Sequence, residues 1–287
     1  MNEPSGVLYV VATPIGNLGD FSSRAAETLA HVDLILAEDT RHSIKLLRHF
    51  GITTPMQSFH DFNERGLVAD MLERLKQGRS LALISDAGTP LISDPGYRLV
   101  AMAGAEGIRV VPIPGPSALL SALSVSGLAT SRFVFEGFAP EQHGARQKLL
   151  NSLAGETRTI VLFEAPHRIV AFMEAAVEAF GADREAVLAR ELTKQFESVY
   201  RGPLAVLLQQ CQQGEIVSRG EFVVVIAGFQ GQPMDTQRES MRVLEILLGH
   251  GLPVKTAAAV AAEITGARKN ALYKQALELG KKGNREP

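Results

Sequence analysis

Short apolar runs alternate with amphipathic stretches through the first 116 residues. The runs have strand length, whereas residues 61–78 carry apolar side chains at helical spacing and end at a glycine, a common helix stop. A chain that alternates strand and helix favours a mostly parallel sheet covered by helices. The predicted strands lie near 7–12, 33–37, 80–84 and 108–112, and the predicted helices near 22–30, 41–50, 64–77 and 95–106.

The pattern changes after a further predicted helix at 117–126, which Ser117 is expected to cap. Five strand-like runs follow, separated by helical stretches, and they predict a second α/β domain with mixed strand directions. We place the hinge near residues 115–118, so that a ligand crevice lies between the two domains. The runs are RFVFEGF, TIVLFEA, EAVLAREL, ESVYRG and EFVVVIAGF, and the helices lie near 145–153, 166–180 and 203–213.

The last part of the chain is predicted to be helical. Residues 228–240 are typical of a linker, and helices are expected near 239–249, 253–264 and 267–279. Gly266 lies between the last two, as in a helix-turn-helix arrangement. The predicted domains are an N-terminal α/β domain (1–116), a C-terminal α/β domain (117–230), and a linker with a helical RNA-contact or capping tail (231–287).

Three of the predicted strands run into loops rich in Gly, Pro and polar residues: residues 8–20, 84–96 and 110–123. The middle loop, ISDAGTPLISDPG, is too long and polar for a tight turn, and its glycines allow close approach of a ligand. In an open α/β sheet, the carboxyl ends of the strands usually form the ligand crevice. The chain contains neither a dinucleotide fingerprint nor a P-loop, so a dehydrogenase or a P-loop ATPase is poorly supported.

Charge and cysteine content narrow the class of protein further. The formal net charge is −2, which counts mildly against a nucleic-acid binder, but residues 231–287 carry a net of +3 and residues 1–230 a net of −5. A single cysteine, Cys211, excludes an internal disulfide framework, and we interpret it as structural. We expect a cytoplasmic protein, because the N-terminus lacks the basic region of a signal peptide and no apolar run approaches the ~20 residues of a membrane span.

The loop motifs resemble a known family. ATPIGN, SDAGTPLISDPG and PIPGPSA are similar to the cofactor loops of the S-adenosylmethionine-dependent tetrapyrrole methylase family, over roughly residues 6–228. AEDTR (37–41), FEAPHR (163–168) and ARELTK (189–194) resemble the branch that methylates a ribose 2'-hydroxyl of 16S ribosomal RNA. The resemblance implies two α/β domains with the cofactor crevice between them and a C-terminal helical segment.

The resemblance also implies ten contacts to S-adenosylmethionine. Phe163, Glu164 and Gly202 are expected to close around the adenine. The other seven lie on the three loops and the start of the helix at 117–126: Pro14, Ala87, Gly88, Thr89, Ile92, Ser117 and Ala118. Methyl transfer needs no metal, and the sequence has no zinc-like Cys/His spacing, so no metal is expected.

A ribose hydroxyl is a weak acid, so a general base or a nearby cation would assist the reaction. The catalytic candidates are Lys194, Glu191 and His167, with Asp39 and Asp86 as further carboxylates. Lys194 would act as a cation, or as a base if its pKa were lowered; a solvated, ion-paired turn is the alternative. Basic side chains expected to contact RNA phosphates are Arg41, Arg168, Arg268, Lys269 and Lys274, with a solvated basic face as the alternative for those in the tail.

The leading hypothesis is methyl transfer from S-adenosylmethionine to a ribose 2'-hydroxyl of 16S ribosomal RNA in the small ribosomal subunit, with cytidine as the expected nucleotide. Two alternatives stay open: methylation of a tetrapyrrole or another small acceptor, and a non-catalytic RNA-binding or ribosome-assembly role. The resemblance further implies a homodimer.

Overall fold

A computed structural model of the chain describes the backbone of residues 6–230 and 234–283, with side chains at 6–230 and 240–277. The contacts divide the chain into two compact units, Met1–Gly228 and Phe229–Pro287. The N-terminal five residues, which bear on the expectation of no signal peptide, and residues 231–233 of the predicted linker lie outside this description.

The first sheet is parallel throughout, in the order β3-β2-β4-β1-β5, which confirms the predicted architecture. Its central strands are buried because helices cover both faces, as their continuous apolar runs predict. The strands are β1 (Val7–Val11), β2 (Leu34–Ala37), β3 (Met56–Ser58), β4 (Leu81–Ile84) and β5 (Arg109–Ile113). The helices of this part are α1 (Ser23–His31), α2 (Thr40–His49), α3 (Glu64–Lys76), α4 (Tyr97–Ala105) and α5 (Ala118–Ser126).

The second sheet has the order β6-β7-β10-β8-β9. The β6–β7 pair is parallel and the other three pairs are antiparallel, so the predicted mixture of strand directions is confirmed. Phe172 and Phe222 are fully buried in its core. The strands are β6 (Phe133–Phe138), β7 (Thr159–Glu164), β8 (Glu185–Arg190), β9 (Ser198–Pro203) and β10 (Phe222–Ile226), with helices α6 (His143–Ser152), α7 (Ile169–Phe180) and α8 (Leu204–Gln212).

Three local predictions differ from the structure. β3 was not predicted, because it is only three residues long and carries the polar Gln57. The helix predicted from residue 95 begins at Tyr97, since Gly96 has φ +118° and cannot be part of a right-handed helix. Residues 166–168 form a single 3₁₀ turn ahead of α7.

The second unit contains α9 (Met234–Gly249), α10 (Val254–Thr265) and α11 (Lys269–Gly283). Small side chains let these helices pack closely, with Leu244, Ala257 and Leu272 in the core. Gly266 ends α10 with φ +70°, as expected between two helices. The linker prediction was wrong from residue 234 onward, where a helix has already begun. No helix in the described residues is long and apolar enough to cross a bilayer. The domain boundary at 116/117 falls between β5 and α5 and stays a proposal.

Candidate active site

The three predicted loops meet at one edge of the first sheet, because β4, β1 and β5 are parallel neighbours. The backbones of Thr13 and Gly88 exchange two hydrogen bonds, with N···O distances of 2.8 and 3.0 Å. The Thr13 hydroxyl donates to the Ser85 carbonyl at 3.1 Å, and the Thr89 hydroxyl donates to the Pro116 carbonyl at 3.1 Å. The loops therefore form one connected wall.

The middle loop is held in left-handed backbone conformations. Gly88 has φ +85°, and two non-glycine residues, Leu91 and Ser93, have φ +74° and +68°. At Gly96 a Cβ atom would overlap the side chain of Leu83, so only glycine fits. Such conformations cost on the order of 1–3 kcal/mol each and persist where the surrounding structure enforces them, often at functional sites.

A cavity of about 380 Å³, the larger cavity, lies between these loops and the edge of the second sheet where β7 ends and β10 begins. Its volume is within the range of roughly 300–1,000 Å³ typical of small-molecule sites. The ring of Phe163 meets those of Phe135 and Phe138 edge-on, at centroid distances of 4.9 and 5.5 Å. Eight of the ten implied cofactor contacts line this cavity: Ala87, Gly88, Thr89, Ile92, Ser117, Ala118, Phe163 and Glu164.

One wall of the larger cavity is acidic, with Glu38, Asp86 and Asp94. Burial raises the pKa of Asp94 to about 6, opposed by the Ser85 hydroxyl and reinforced by the neighbouring carboxylates. Burial, followed by the charge of Asp86, also raises the pKa of Glu38. Repulsion between like charges at this wall favours a cationic ligand there. In the part of the chain that the structure describes, no group of three or more His, Cys, Asp or Glu side chains is arranged to hold a metal ion.

Glu164 and Arg168 form a buried ion pair beside the larger cavity. Nε of Arg168 lies 2.9 Å from Oε1 of Glu164, whose side chain has no exposed surface. Burial raises the pKa of Glu164, while the Ala165 N–H and Arg168 act to lower it. Arg168 also donates to the Ala139 carbonyl, and only 14% of its side chain is exposed. The prediction that Arg168 contacts RNA is therefore not supported; its guanidinium holds Glu164.

A second cavity, of about 260 Å³, adjoins the first and is named the smaller cavity. It contains Pro14, which the resemblance implied as a cofactor contact, and four residues line both cavities. The shared residues are Ile15, Asp86, Ala87 and Glu221. Its remaining lining comes from the first loop, the first turns of α2, Ser85 and Lys194. Because Lys45 and Lys194 are among these residues, this cavity is more cationic than the larger cavity.

Lys194 is fixed at the smaller cavity by two carboxylates. Its ammonium lies 2.8 Å from Oε1 of Glu191 and 3.0 Å from Oε2 of Glu221. Its aliphatic chain covers Gly16, where an added Cβ would overlap Cγ of the lysine. Glu191 packs against Gly220 in the same way and accepts the Glu221 N–H at 2.9 Å. The lysine is therefore placed by contacts with three segments of the chain.

The contacts around Lys194 favour its protonated form, which cannot act as a base. Burial acts to lower the pKa of Lys194, but the hydrogen bonds to Glu191 and Glu221 outweigh it and raise the pKa above its ordinary value. Burial likewise acts to raise the pKa of Glu191, but its bonds to the Lys194 ammonium and the Glu221 N–H lower it. Lys194 is a cation and Glu191 an anion.

Other predicted site residues lie elsewhere. Gly202 lies on β9, where it pairs with Ala186 of β8. The Ser198–Arg190 pair is at the cavity end of these two strands, and Gly202 is four residues further along β9, so it lies ~13 Å from that end. His167 is exposed on the 3₁₀ turn and lines neither cavity. Asp39 caps α2 and is bonded to Arg41, which holds its pKa at about 2. Burial raises the pKa of Cys211 to about 11, which fits a structural role.

The remaining RNA candidates are all exposed. Arg41 is 90% exposed and paired with Asp39 at 2.7 Å. Arg268, Lys269 and Lys274 are exposed at the start of α11, but Lys269 and Lys274 are five residues, about 1.4 turns, apart and therefore lie on different faces.

Comparison with known proteins adds the family. The profile for Tetrapyrrole (Corrin/Porphyrin) Methylases matches residues 7–208, which include the three loops, the whole first sheet and four of the five strands of the second sheet. The chain belongs to the tetrapyrrole methylase family. A second profile, described as the RsmI C-terminal HTH domain, matches residues 235–280 and agrees with the predicted helix-turn-helix.

Within the tetrapyrrole methylases, the chain is similar to proteins named Ribosomal RNA small subunit methyltransferase I. The identity is 51% with that of Pseudomonas aeruginosa (96% of this chain, 98% of the relative), 52% with that of Xylella fastidiosa (95% and 99%) and 47% with that of Escherichia coli O157:H7 (96% and 96%). The fold resembles a cobalt precorrin-4 methyltransferase (TM-score 0.56, 16% identity, 77% of this chain and 94% of that one) and a diphthine synthase (0.58, 18%, 78% and 90%).

Sequence reasoning missed several residues of this tetrapyrrole methylase site. Glu221 lines both cavities, yet it only precedes an apolar run; it reaches the site because β10 is antiparallel and begins where β7 and β8 end. Ile15 and Glu38 lie inside quoted motifs but were not singled out. A charged residue next to a strand end was the available signal for Glu38 and Glu221.

Proposed function

We propose that this chain transfers a methyl group from S-adenosylmethionine to a ribose 2'-hydroxyl of 16S ribosomal RNA in the small ribosomal subunit. The observation that carries the proposal is 47–52% identity, over 95–96% of the chain, to proteins named Ribosomal RNA small subunit methyltransferase I. The choice of the ribose hydroxyl rests on the AEDTR, FEAPHR and ARELTK motifs.

The residues of the larger cavity fit S-adenosylmethionine. Phe163 and Phe138 offer an apolar, aromatic surface suited to adenine, and the backbone of the middle loop is open to a ligand at Ala87 and Gly88. The acidic wall of Glu38, Asp86 and Asp94 complements the two cationic groups of this cofactor, its sulfonium and its amine. When bound, the cofactor supplies a methyl group on a positively charged sulfur, and the electron pair of the broken C–S bond stays with that sulfur.

The acceptor ribose is proposed to enter the smaller cavity. In-line transfer requires donor and acceptor to be held in near contact, and effective positioning of this kind is worth on the order of 7–11 kcal/mol. Ile15 and Ala87 line both cavities, so ligands in the two would be neighbours. Because the donor side is acidic and the acceptor side contains Lys194, the arrangement matches a cationic donor and a developing oxyanion.

Lys194 is proposed to stabilise negative charge on the acceptor oxygen as a cation. Glu191 positions it through the 2.8 Å ion pair and is itself held by the backbone of Glu221. The carboxylate of Glu221, whose side chain is 75% exposed, is proposed to accept the hydroxyl proton and pass it to water. The base role considered for His167 is withdrawn, because His167 lines neither cavity.

Assembly and location belong to the same proposal. A homodimer is proposed because the resemblance of the motifs implies one. Sedimentation at several protein concentrations tests it, and a monomer throughout would refute it. A cytoplasmic location is proposed because ribosomal subunits are the intended substrate.

The decisive experiment offers radiolabelled S-adenosylmethionine with three acceptors: small ribosomal subunits from cells lacking the activity, naked 16S RNA, and uroporphyrinogen III. We expect label in 16S RNA, resistant to alkaline hydrolysis at one nucleotide because a 2'-O-methyl group blocks cleavage there. Label in the tetrapyrrole alone would support the small-acceptor alternative. Binding of subunits without any transfer would support the non-catalytic one.

A further inference from the structure

One face of α2 is strongly basic in a part of the chain that is otherwise acidic. Arg41, Lys45 and Arg48 follow one another at spacings of four and three residues, so they form a stripe along the helix, and the helix contains no carboxylate. At 1.5 Å per residue, the stripe is about 10 Å long. Residues 1–230 carry a net charge of −5, so this stripe stands out from its surroundings.

The opposite face of α2 fixes the helix to the first sheet. Ser43 and Leu47 are buried, and Leu47 belongs to the core beneath β2. Asp39 caps the helix by accepting the Arg41 N–H at 2.8 Å. The ring of Phe50, just after the helix, meets that of Phe21 at 4.9 Å. The basic stripe is thus presented on a rigid support.

The stripe leads into the smaller cavity. His42 and Lys45 line that cavity, whereas Arg48 lies one turn further along the helix and outside it. Among the residues that the structure describes, Lys45 and Arg48 have no ion-pair partner, in contrast to Arg41, which is bonded to Asp39. Unpaired, exposed cations at the mouth of a cavity are the electrostatic signature of a phosphate-backbone contact.

We propose that Lys45 and Arg48, the two cations of the stripe on α2 without an ion-pair partner among the described residues, bind the phosphate backbone of the RNA next to the nucleotide that enters the smaller cavity. This inference rests on the proposed function. It places a second RNA-positioning surface on α2, close to the proposed reaction site, in addition to the one proposed for the C-terminal helices. Phosphate contacts set the register of a nucleic acid without reading its sequence, so the stripe is expected to orient the strand.

The test compares Lys45→Ala/Arg48→Ala with a control that removes the same charge elsewhere, Arg109→Ala/Lys148→Ala. Arg109 is exposed at the start of β5, at the opposite end of the strands from the cavities, and Lys148 is exposed on α6. Affinity for a 16S RNA transcript is measured between 50 and 200 mM salt, together with affinity for S-adenosylmethionine and KM and kcat on small subunits.

We expect the α2 variant to bind the transcript at least tenfold more weakly, with a salt slope lower by about 1.4–1.8, as two lost phosphate contacts require. Its KM for subunits should rise while kcat and cofactor affinity stay within twofold, and the control should match wild type. An unchanged salt slope and an unchanged KM in the α2 variant would overturn the inference. The proposed function would still stand in that case, provided that the wild-type protein methylates the subunits. A raised KM with an unchanged RNA slope would also overturn it, because the surface would then contact ribosomal protein. No methylation by wild type refutes the proposed function itself.

Discussion

Replacing Lys194 with alanine tests the electrostatic part of the mechanism. The change removes an ammonium that lies 2.8 Å from Glu191 and 3.0 Å from Glu221, and it uncovers Gly16. Two effects follow: the carboxylate pair loses its shared partner, and the smaller cavity loses its fixed positive charge. Their magnitudes differ enough to be separated.

The stability effect is expected to be moderate. Glu191, with 16% of its side chain exposed, keeps the hydrogen bond from the Glu221 N–H, while Glu221 is 75% exposed and can be solvated. Leaving one partly buried charged group short of a partner costs on the order of 1–3 kcal/mol. Because domains are typically stable by about 5–15 kcal/mol, the variant should remain folded.

The rate effect is expected to be larger. Removal of one fixed donor that stabilises a developing oxyanion typically lowers kcat by about 10²–10³-fold, or ~2.7–4 kcal/mol of barrier. Single-turnover methyl transfer at saturating subunits and cofactor measures this step, and thermal unfolding checks that the variant is folded. Lys194→Arg keeps the charge and should recover part of the rate, while Lys148→Ala on α6 serves as the unrelated lysine.

The reasoning is wrong if Lys194→Ala reacts within about threefold of wild type, which corresponds to less than ~1 kcal/mol of barrier. Lys194 would then belong to a solvated, ion-paired turn. The pH dependence gives a second check. Because the carboxylates raise the pKa of Lys194, the wild-type rate should show no rise from lysine deprotonation between pH 7 and 10; such a rise, absent in Lys194→Ala, would indicate a base instead.

Three further predictions concern the cofactor and the tail. Gly88→Ala places a side chain at φ +85°, at a cost of ~1–2 kcal/mol, and calorimetric titration should find at least tenfold weaker cofactor binding; Gly104→Ala, on an open part of α4, is the control, and equal affinity in both would remove the loop from the site. Burial raises the pKa of Asp94 to about 6, so cofactor affinity should fall from pH 7.5 to 5, and the fall should be smaller in Asp94→Asn, where Glu38 still titrates; because the Asp94 pKa is raised above 3.8, the contribution of Asp94 to stability should decrease as pH rises from about 4 to 6. Deleting residues 229–287, a separate unit, should preserve cofactor affinity but lower methyl transfer to small subunits. Equal activity of the truncated and full-length proteins would show that the C-terminal helices do not contribute to RNA binding.

The loops were predictable from the sequence because their signals are local. An apolar run followed by glycine, proline and carboxylates predicts both a strand and the polar loop at its end. The loops 8–20, 84–96 and 110–123 lie together because they follow three neighbouring parallel strands of the first sheet. The short edge strand β3 gave no such signal, because three half-buried residues with a central glutamine have no distinct period. Residues 234–240 were mistaken for linker because a polar first turn resembles one.

The electrostatics of the site depended on contacts between distant segments. Arg168 is a typical phosphate-binding side chain in the motif FEAPHR, yet in the fold it lies against the buried Glu164, whose ionised form is costly there without a partner of opposite charge. The pKa of Lys194 could have shifted either way from its neighbours in sequence. Glu221, 27 residues away, is one of the two carboxylates that raise it. Partner choice of this kind is set by packing, which local patterns do not encode.

Backbone strain and the charges proposed to assist methyl transfer occur close together in this protein. Within the described residues, the non-glycine positions with positive φ are Leu91 and Ser93 in the middle loop, and Glu191 and Thr193 in the turn before Lys194. Each costs on the order of 1–3 kcal/mol, and that cost is offset by contacts such as the Thr13–Gly88 bridge. The strained turn holds the Lys194 side chain against Gly16 in the absence of substrate. The lysine therefore needs little rearrangement to take part in the proposed reaction. Fixed charges of this kind lower a barrier more than mobile ones, because their orientation has already been set during folding.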